Sequence, residues 1–310
     1  MNKSVSVRWL AVDWGTSNLR LWAMDEWHQV IDHKSSDQGM STLTSDQYEK
    51  VLLSLISDWL PATGTLPVVI CGMAGARQGW LEAPYRPTPT PLTKLAQAAV
   101  EPSVLDTRLK VSILPGLCQM ELDSQDVMRG EETQILGAMQ QQKLSSGLFC
   151  LPGTHSKWVM VEHDQVRNFS TSMTGELFQL LSHQSVLRFS MTGKWSDQAF
   201  VSAVSETYEA PAQLMARLFS VRSRTLLSEP ETGEMDARLS GLLIGAELSG
   251  QRHILQKNEP VYLIGSDFHN HLYQQALVSL GFSATALDSE QMTLAGLRAA
   301  GASLIGVSYD

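Results

Sequence analysis

The strongest constraint on this chain is a polar turn that occurs twice. AVDWGTSNLRLW (11–22) and LPGTHSKWV (151–159) each set a Gly-Thr pair, followed shortly by a cation, between apolar segments rich in strand formers. Such a stretch reads as strand, tight turn, strand. Its return in the second half predicts two α/β halves, each opened by a hairpin with a hydroxyl-rich tip, with a seam near residues 130–147. The length of 310 residues suits one large or two moderate domains, and 43% apolar with 18% charged residues can build a core of that size.

The remaining pattern fits this division. Residues 5–12 read as the first strand, 13–18 as its turn and 19–24 as the second strand. Helical spacing covers 46–60, and PVVICGM (67–73) reads as a strand buried on both faces. Residues 75–91, rich in Gly, Pro, Arg and aromatics, read as a long irregular loop, a feature that is often functional. A strand is expected at 111–117, a helix at 131–142 and a strand at 148–151. A further strand at 260–265 leads into a helix through 277, and a small-residue helix spans 292–304.

Composition narrows the function. The net charge of −9 comes without any Lys/Arg run, which argues against a general nucleic-acid binder. Cys71, Cys118 and Cys150 are few, far apart and flanked by apolar residues, which fits buried thiols in a reducing cytoplasm. The N-terminus lacks a signal-peptide pattern, and no apolar run reaches the roughly 18 residues that span a bilayer.

The two turns suggest phosphate chemistry. Glycine leaves backbone N–H groups unobstructed, and Thr and Ser add hydroxyl donors. A carboxylate such as Asp13 can hold Mg²⁺, usually through water, and the ion then bridges phosphates. Asp13, Gly15, Thr16 and Ser17 supply these parts in one turn, and Gly153, Thr154, His155 and Ser156, with Lys157 as cation, in the other. Gly-Thr-Ser turns also occur for purely local reasons, since Asp and Ser bond their own backbone. Neither a Walker A pattern nor GxGxxG after the first strand is present, so a nucleotide must be held another way.

DWGTSNLR resembles the first phosphate motif of the sugar kinase, Hsp70 and actin superfamily. More narrowly, the chain is similar to the 2-dehydro-3-deoxygalactonokinase family. The resemblance is carried by AVDWGTSNLRLW, CGMAGARQGWLEAPYRPTP (71–89), LPGLCQ (114–119), DVMRGEETQILGA (126–138), LPGTHSKWV, TSMTGELFQLLSHQSVL (171–187), LFSVRS (218–223), RLSGLLIGAEL (238–248) and VYLIGS (261–266). It implies two ribonuclease-H-like lobes of the actin-like ATPase fold with a closing cleft. It also implies transfer of the γ-phosphate of ATP, with Mg²⁺, to the 6-hydroxyl of 2-dehydro-3-deoxy-D-galactonate. On that architecture we expect one lobe over 1–140, to which 290–310 return, and a second over 141–289.

The resemblance carries Asp13, Gly15, Thr16 and Asn18 to ATP and metal, and Gly153, Thr154, His155, Ser156 and Lys157 to the same nucleotide. Gly265 and Ser266 match the adenosine-binding turn. Broader sugar kinases place Gly-Asp-Gln where this chain has Gly130-Glu131-Glu132; Glu131 is the expected base and Glu132 its rival. Either carboxylate can also simply cap a helix. For the acid group of the substrate Arg77 is the first candidate, with Arg20 and Arg129 as rivals, and Ala74 and Gly75 allow close approach to the backbone. His155 can donate to phosphate or cap its turn. Gly241 and Gly245 read as helix-packing positions, and Trp158 and Phe178 as core. Two alternatives stay open: a kinase for the epimeric 2-dehydro-3-deoxygluconate, and a non-catalytic nucleotide-gated regulator. The lack of an appended DNA-binding arm and the 71–89 loop favour the enzyme. A homodimer is one arrangement the sequence allows.

Overall fold

A computed structural model describes residues 6–228 and 233–306. The N-terminal end of the expected first strand, Val5, and residues 307–310 lie outside them. Along the chain the elements are β1 (Trp9–Trp14), β2 (Leu19–Met24), β3 (Val30–Ser36), α1 (Tyr48–Ile56), β4 (Leu66–Gly72), β5 (Arg86–Pro87), β6 (Thr90–Pro91), β7 (Leu109–Ile113), β8 (Leu117–Gln119), β9 (Asp126–Met128) and α2 (Glu131–Gln142). There follow β10 (Gly147–Leu151), β11 (Ser156–Glu162), β12 (Gln165–Ser172), α3 (Thr174–Gln184), α4 (Asp197–Glu209), α5 (Leu214–Leu227), α6 (Glu234–Gly250), β13 (Val261–Gly265), α7 (Asp267–Ser279), β14 (Ala284–Asp288) and α8 (Ser289–Ile305). The chain divides into a first unit of residues 1–146, 161–168 and 289–310 and a second of 147–160 and 169–288.

The first unit is built on a sheet of order β3-β2-β1-β4-β7. β1 pairs antiparallel with β2 and parallel with β4, so it is central and buried on both faces. Strand alternation splits its side chains between two cores. Leu10, Val12 and Trp14 pack with Tyr48, Leu52 and Ile56 of α1, while Trp9 and Ala11 pack with Leu297 and Ala300 of α8. The helices α2 and α8 cross almost backbone to backbone. A Cβ on Gly296 would stand 1.9 Å from the Thr133 carbonyl oxygen, and one on Gly137 2.0 Å from that of Met292.

The second unit carries the strand order β14-β13-β10-β11-β12. The far end of the β11–β12 hairpin, residues 161–168, belongs to the first unit, where Val166 pairs with Thr90 of β6. α6 is buried on nearly all sides, as a helix inside a core must be. Gly241 and Gly245 do serve packing: a Cβ at either would stand 2.4 or 2.3 Å from the Phe200 or Val204 carbonyl oxygen of α4. Among the described residues, no helix is long and apolar enough to cross a membrane.

Candidate active site

Strand alternation places Asp13 on the α8 side of β1, directly across the ladder from Arg20. Arg20 donates from Nη2 and Nε to Asp13 Oδ2 at 2.5 and 3.1 Å, and from Nη1 to Glu290 Oε2 at 3.3 Å. The other carboxylate oxygen, Oδ1, lies 3.8 Å from the Cys71 sulfur. The sequence reading put Asp13 in the turn; the strand instead continues through Trp14, and the turn is only residues 15–18. The reason is Trp14, which is fully buried and pairs with Leu19 to close the ladder. Arg20 is thus engaged with two carboxylates rather than held free for the acid substrate.

The hairpin tip is braced from behind. Gly15 N–H donates to the Asn18 carbonyl at 2.8 Å, Met40 N–H to that of Gly15 at 3.0 Å and Ser41 N–H to that of Thr16 at 2.9 Å. Gly39 permits this contact, since a Cβ there would stand 2.4 Å from the Thr16 oxygen. With two tip carbonyls turned inward, Thr16, Ser17 and Asn18 stay exposed. They share an open concavity with Asp13, Arg20, residues 35–37 and Glu290.

Gly130, at φ 104°, turns the chain from β9 into α2. The first-turn carboxylates bend back over the helix start, where the dipole and unpaired donors favour them. Arg129 N–H donates to Glu131 Oε2 at 2.9 Å. Gly130 N–H donates to both oxygens of Glu132 at 3.0 and 2.8 Å, and Thr133 Oγ1 to one at 3.0 Å. Glu132 is only 1% exposed. Burial, and then the neighbouring Glu131 charge, push its pKa from 4.5 to about 8, so it is mostly protonated at neutral pH. Glu131 is partly exposed and can meet a ligand; Glu132 is walled off.

The 71–89 loop is pinned to this helix start. Arg129 Nη2 donates to the Ala83 carbonyl at 2.8 Å, and its guanidinium carbon lies 4.3 Å from the centre of the Tyr85 ring. Gly75 leaves room for it: a Cβ there would stand 2.8 Å from Arg129 Nη1. Trp80 stacks on Tyr48 at 5.9 Å. Ala74 and Gly75 are buried, whereas Arg77 projects outward with 81% of its side chain exposed, 3.7 Å from Glu82.

In the second unit, residues 152–155 form the hairpin tip between β10 and β11. The start of α3 is locked to it. Glu176 N–H donates to the Thr154 carbonyl at 2.9 Å, and a Cβ on Gly175 would stand 2.2 Å from the Gly153 oxygen. His155 Nε2 lies 2.6 Å from Glu176 Oε2, so the imidazole also ties hairpin to helix. Thr154 and His155 are exposed. Ser156 departs from the sequence reading: it is the first residue of β11, fully buried, and its hydroxyl bonds Glu247 and Tyr273 instead of facing a ligand. Lys157 is 7% exposed and donates to Thr171 Oγ1 at 2.6 Å, so the expected cation is an internal one here.

An open cavity adjoins this hairpin, with Thr174, Phe178, Trp195, Phe268, Leu272 and Tyr273 among its walls. Gly265 ends β13, and Ser266 caps α7 by accepting from His269 N–H, which sets a helix N-terminus beside the cavity wall. Trp158 is core at 1% exposure, but Phe178 both packs on the core and lines the cavity. Among the described residues, no group of three or more His, Cys, Asp or Glu could hold a metal ion.

The family model for 2-keto-3-deoxy-galactonokinase matches residues 13–300, a span that contains both hairpin tips and the α2 start. The chain belongs to this family. A Rhizobium meliloti protein named "Probable 2-dehydro-3-deoxygalactonokinase DgoK1" is 42% identical over 94% of this chain and 95% of its own length. The Escherichia coli 2-dehydro-3-deoxygalactonokinase is 34% identical over 95% and 97%. A crystal structure from Sinorhizobium meliloti, assigned to the same enzyme, superposes with a TM-score of 0.90 at 41% identity, covering 96% of this chain and 99% of that one. At 12% identity and a TM-score of 0.50, the activator of 2-hydroxyisocaproyl-CoA dehydratase from Clostridium difficile, solved with bound ADPNP, shares the fold, covering 97% and 98%. The fold is therefore the mixed α/β actin-like ATPase fold, and the family's members are kinases.

Sequence reasoning missed Trp195, Phe268 and Glu247. No motif marks the two aromatics. Glu247 had a signal: it is the one acid within an otherwise apolar, buried helical run. An acid there must find donors.

Proposed function

We propose that the chain transfers the γ-phosphate of ATP to the 6-hydroxyl of 2-dehydro-3-deoxy-D-galactonate, releasing ADP, in galactonate breakdown. The observation that carries this reading is membership of the family along residues 13–300, both hairpin tips included. Phosphoryl transfer asks a protein for positioning and charge neutralisation, plus a base near the hydroxyl. Glu131 is the base, because its carboxylate is the accessible one of the pair and sits at a rigid helix start. The main-chain and hydroxyl donors of Gly15, Thr16 and Asn18, and those of Gly153, Thr154 and His155, serve the phosphates. Lys157 and Ser156 act from behind the second hairpin. The Phe178, Trp195 and Phe268 cavity, with the Gly265–Ser266 turn, takes the nucleobase side. Arg77, together with the Ala74–Gly75 backbone, binds the sugar acid, and Arg129 holds their loop in place.

The residues fit Mg²⁺ in the way that ion prefers, through one carboxylate plus phosphates and water rather than a protein cage. Asp13 would hold it, through the oxygen that Arg20 leaves uncommitted, and the ion would neutralise phosphate charge. The free, buried cysteines agree with a reducing cytoplasm as the place of reaction. The test is ADP release with ATP, Mg²⁺ and each of the two epimeric 2-dehydro-3-deoxy acids. A strong preference for the galacto acid supports the reading. Equal rates with both epimers, or no ADP with either, refute it.

A further inference from the structure

Glu247 is a carboxylate inside the core of the second unit, 8% exposed, on an otherwise apolar stretch of α6. Four side chains donate to it. Trp158 Nε1 reaches Oε1 at 2.7 Å, while Ser156 Oγ and the Tyr273 hydroxyl reach Oε2 at 3.1 and 2.8 Å. Thr174 Oγ1 makes a short bond to the same oxygen. The donors come from β11, α3 and α7, so one side chain joins three elements to a fourth.

The placement of these donors is what matters. Thr174 is the first residue of α3, and it and Tyr273 also line the cavity beside the hairpin. Ser156 immediately follows the hairpin tip and is fully buried, so it touches no ligand itself. The α3 start is in turn bonded to the tip through Glu176 and packed closely on it at Gly175. A buried carboxylate is costly unless donors surround it, and an apolar side chain of similar size often stabilises a core equally well. A role in geometry explains this one better than a role in stability.

We propose that Glu247 is the positioning residue of the nucleotide half-site, fixing Thr174, Tyr273 and the 152–155 hairpin in the arrangement that receives ATP. The inference rests on the ATP reading above.

The test is calorimetric titration of ATP with Mg²⁺ into the full chain, without sugar acid, for wild type, Glu247→Gln and Ser156→Ala. Thermal unfolding and the coupled assay accompany it. Glutamine keeps the size but turns an N–H toward either Trp158 or the Ser156, Thr174 and Tyr273 group, which then loses its acceptor. The expected result is ATP affinity weakened roughly tenfold in Glu247→Gln and about threefold in Ser156→Ala, with KM for the acid nearly unchanged. A merely structural glutamate would lower the unfolding temperature and leave ATP affinity at the wild-type value in both variants, which overturns the inference. If Glu247→Gln does not fold, Ser156→Ala decides alone by the same criterion. A wild type that binds no ATP overturns the kinase reading and this inference together; unaffected variants beside a binding wild type overturn this inference only.

Discussion

Replacing Glu132 by Gln tests the electrostatics of the α2 start. In the folded chain its pKa rises from 4.5 to about 8, chiefly through burial. A carboxyl that holds its proton more tightly when folded favours the native state while protonated. Its contribution is full below the unfolded pKa and is lost as pH rises toward the folded one. The complete loss amounts to roughly 5 kcal/mol at about 1.4 kcal/mol per pKa unit. Between about pH 5 and 7.5, linkage gives a loss of roughly 3 kcal/mol. Glutamine has no proton to lose, so its curve lacks this slope. Urea unfolding of both proteins at half-unit pH steps reads the difference directly. The wild type should lose stability relative to Glu132→Gln as pH rises, whatever the absolute offset between them. Parallel curves, differing in slope by less than about 0.5 kcal/mol over that range, would mean that Glu132 titrates as an ordinary carboxylate. The reading of Glu132 as a buried, protonated partner beside the accessible Glu131 would then fail.

Other outcomes follow from the same geometry. Glu131→Gln should lower kcat by roughly 10² to 10⁴ while ATP affinity holds, because a general base acts only on the chemical step; comparable turnover would remove Glu131 as base. Arg77→Ala should raise KM for the sugar acid about tenfold and leave that for ATP alone, as expected for a charged hydrogen bond made to one substrate. Unchanged acid affinity would move the carboxylate contact elsewhere in the loop. Gly296→Ala forces a methyl to within 1.9 Å of the Thr133 oxygen, so α2 must shift. Urea unfolding should show a loss of at least about 1–3 kcal/mol, and kcat should fall with it because Glu131 rides on α2.

How far the sequence could be read depended on the distance over which each feature is decided. The α2 helix is local: Gly130 and paired glutamates announce its start, and it spans 131–142 as expected. The Gly265–Ser266 strand end and cap are likewise written in adjacent residues. The fate of Asp13 is decided by register. Only the pairing of Asp13 with Arg20, and of Trp14 with Leu19, shows that the acid lies on the ladder and that the arginine is taken. Strand 111–117 fails for a similar reason: Pro115 and Gly116 break it into β7 and β8, which belong to different sheets. The cavity aromatics Trp195 and Phe268 stand 73 residues apart, and no periodicity links them.

The two hairpins repeat an architecture without repeating its chemistry. In the first, the tip residues Thr16, Ser17 and Asn18 stand in the open. Half-buried Asp13 and Arg20 pair with each other behind that tip, whose carbonyls are bonded inward, and line the same concavity. In the second, the residues in matching positions turn the other way. Ser156 goes to a buried acid and Lys157 to Thr171, leaving half-buried Gly153 and exposed Thr154 and His155 at the tip. A phosphate chain carries several negative charges, so it needs cationic neutralisation as well as donors held still. On the proposed function, the first hairpin brings the carboxylate for a cation, and the second brings hydroxyl and main-chain donors stiffened from within by Glu247. It follows that exchanging the tips, residues 15–18 for residues 152–155, should cost more than mutating either tip singly, because each depends on its own support: Gly39 to Ser41 behind the first, Glu247 behind the second.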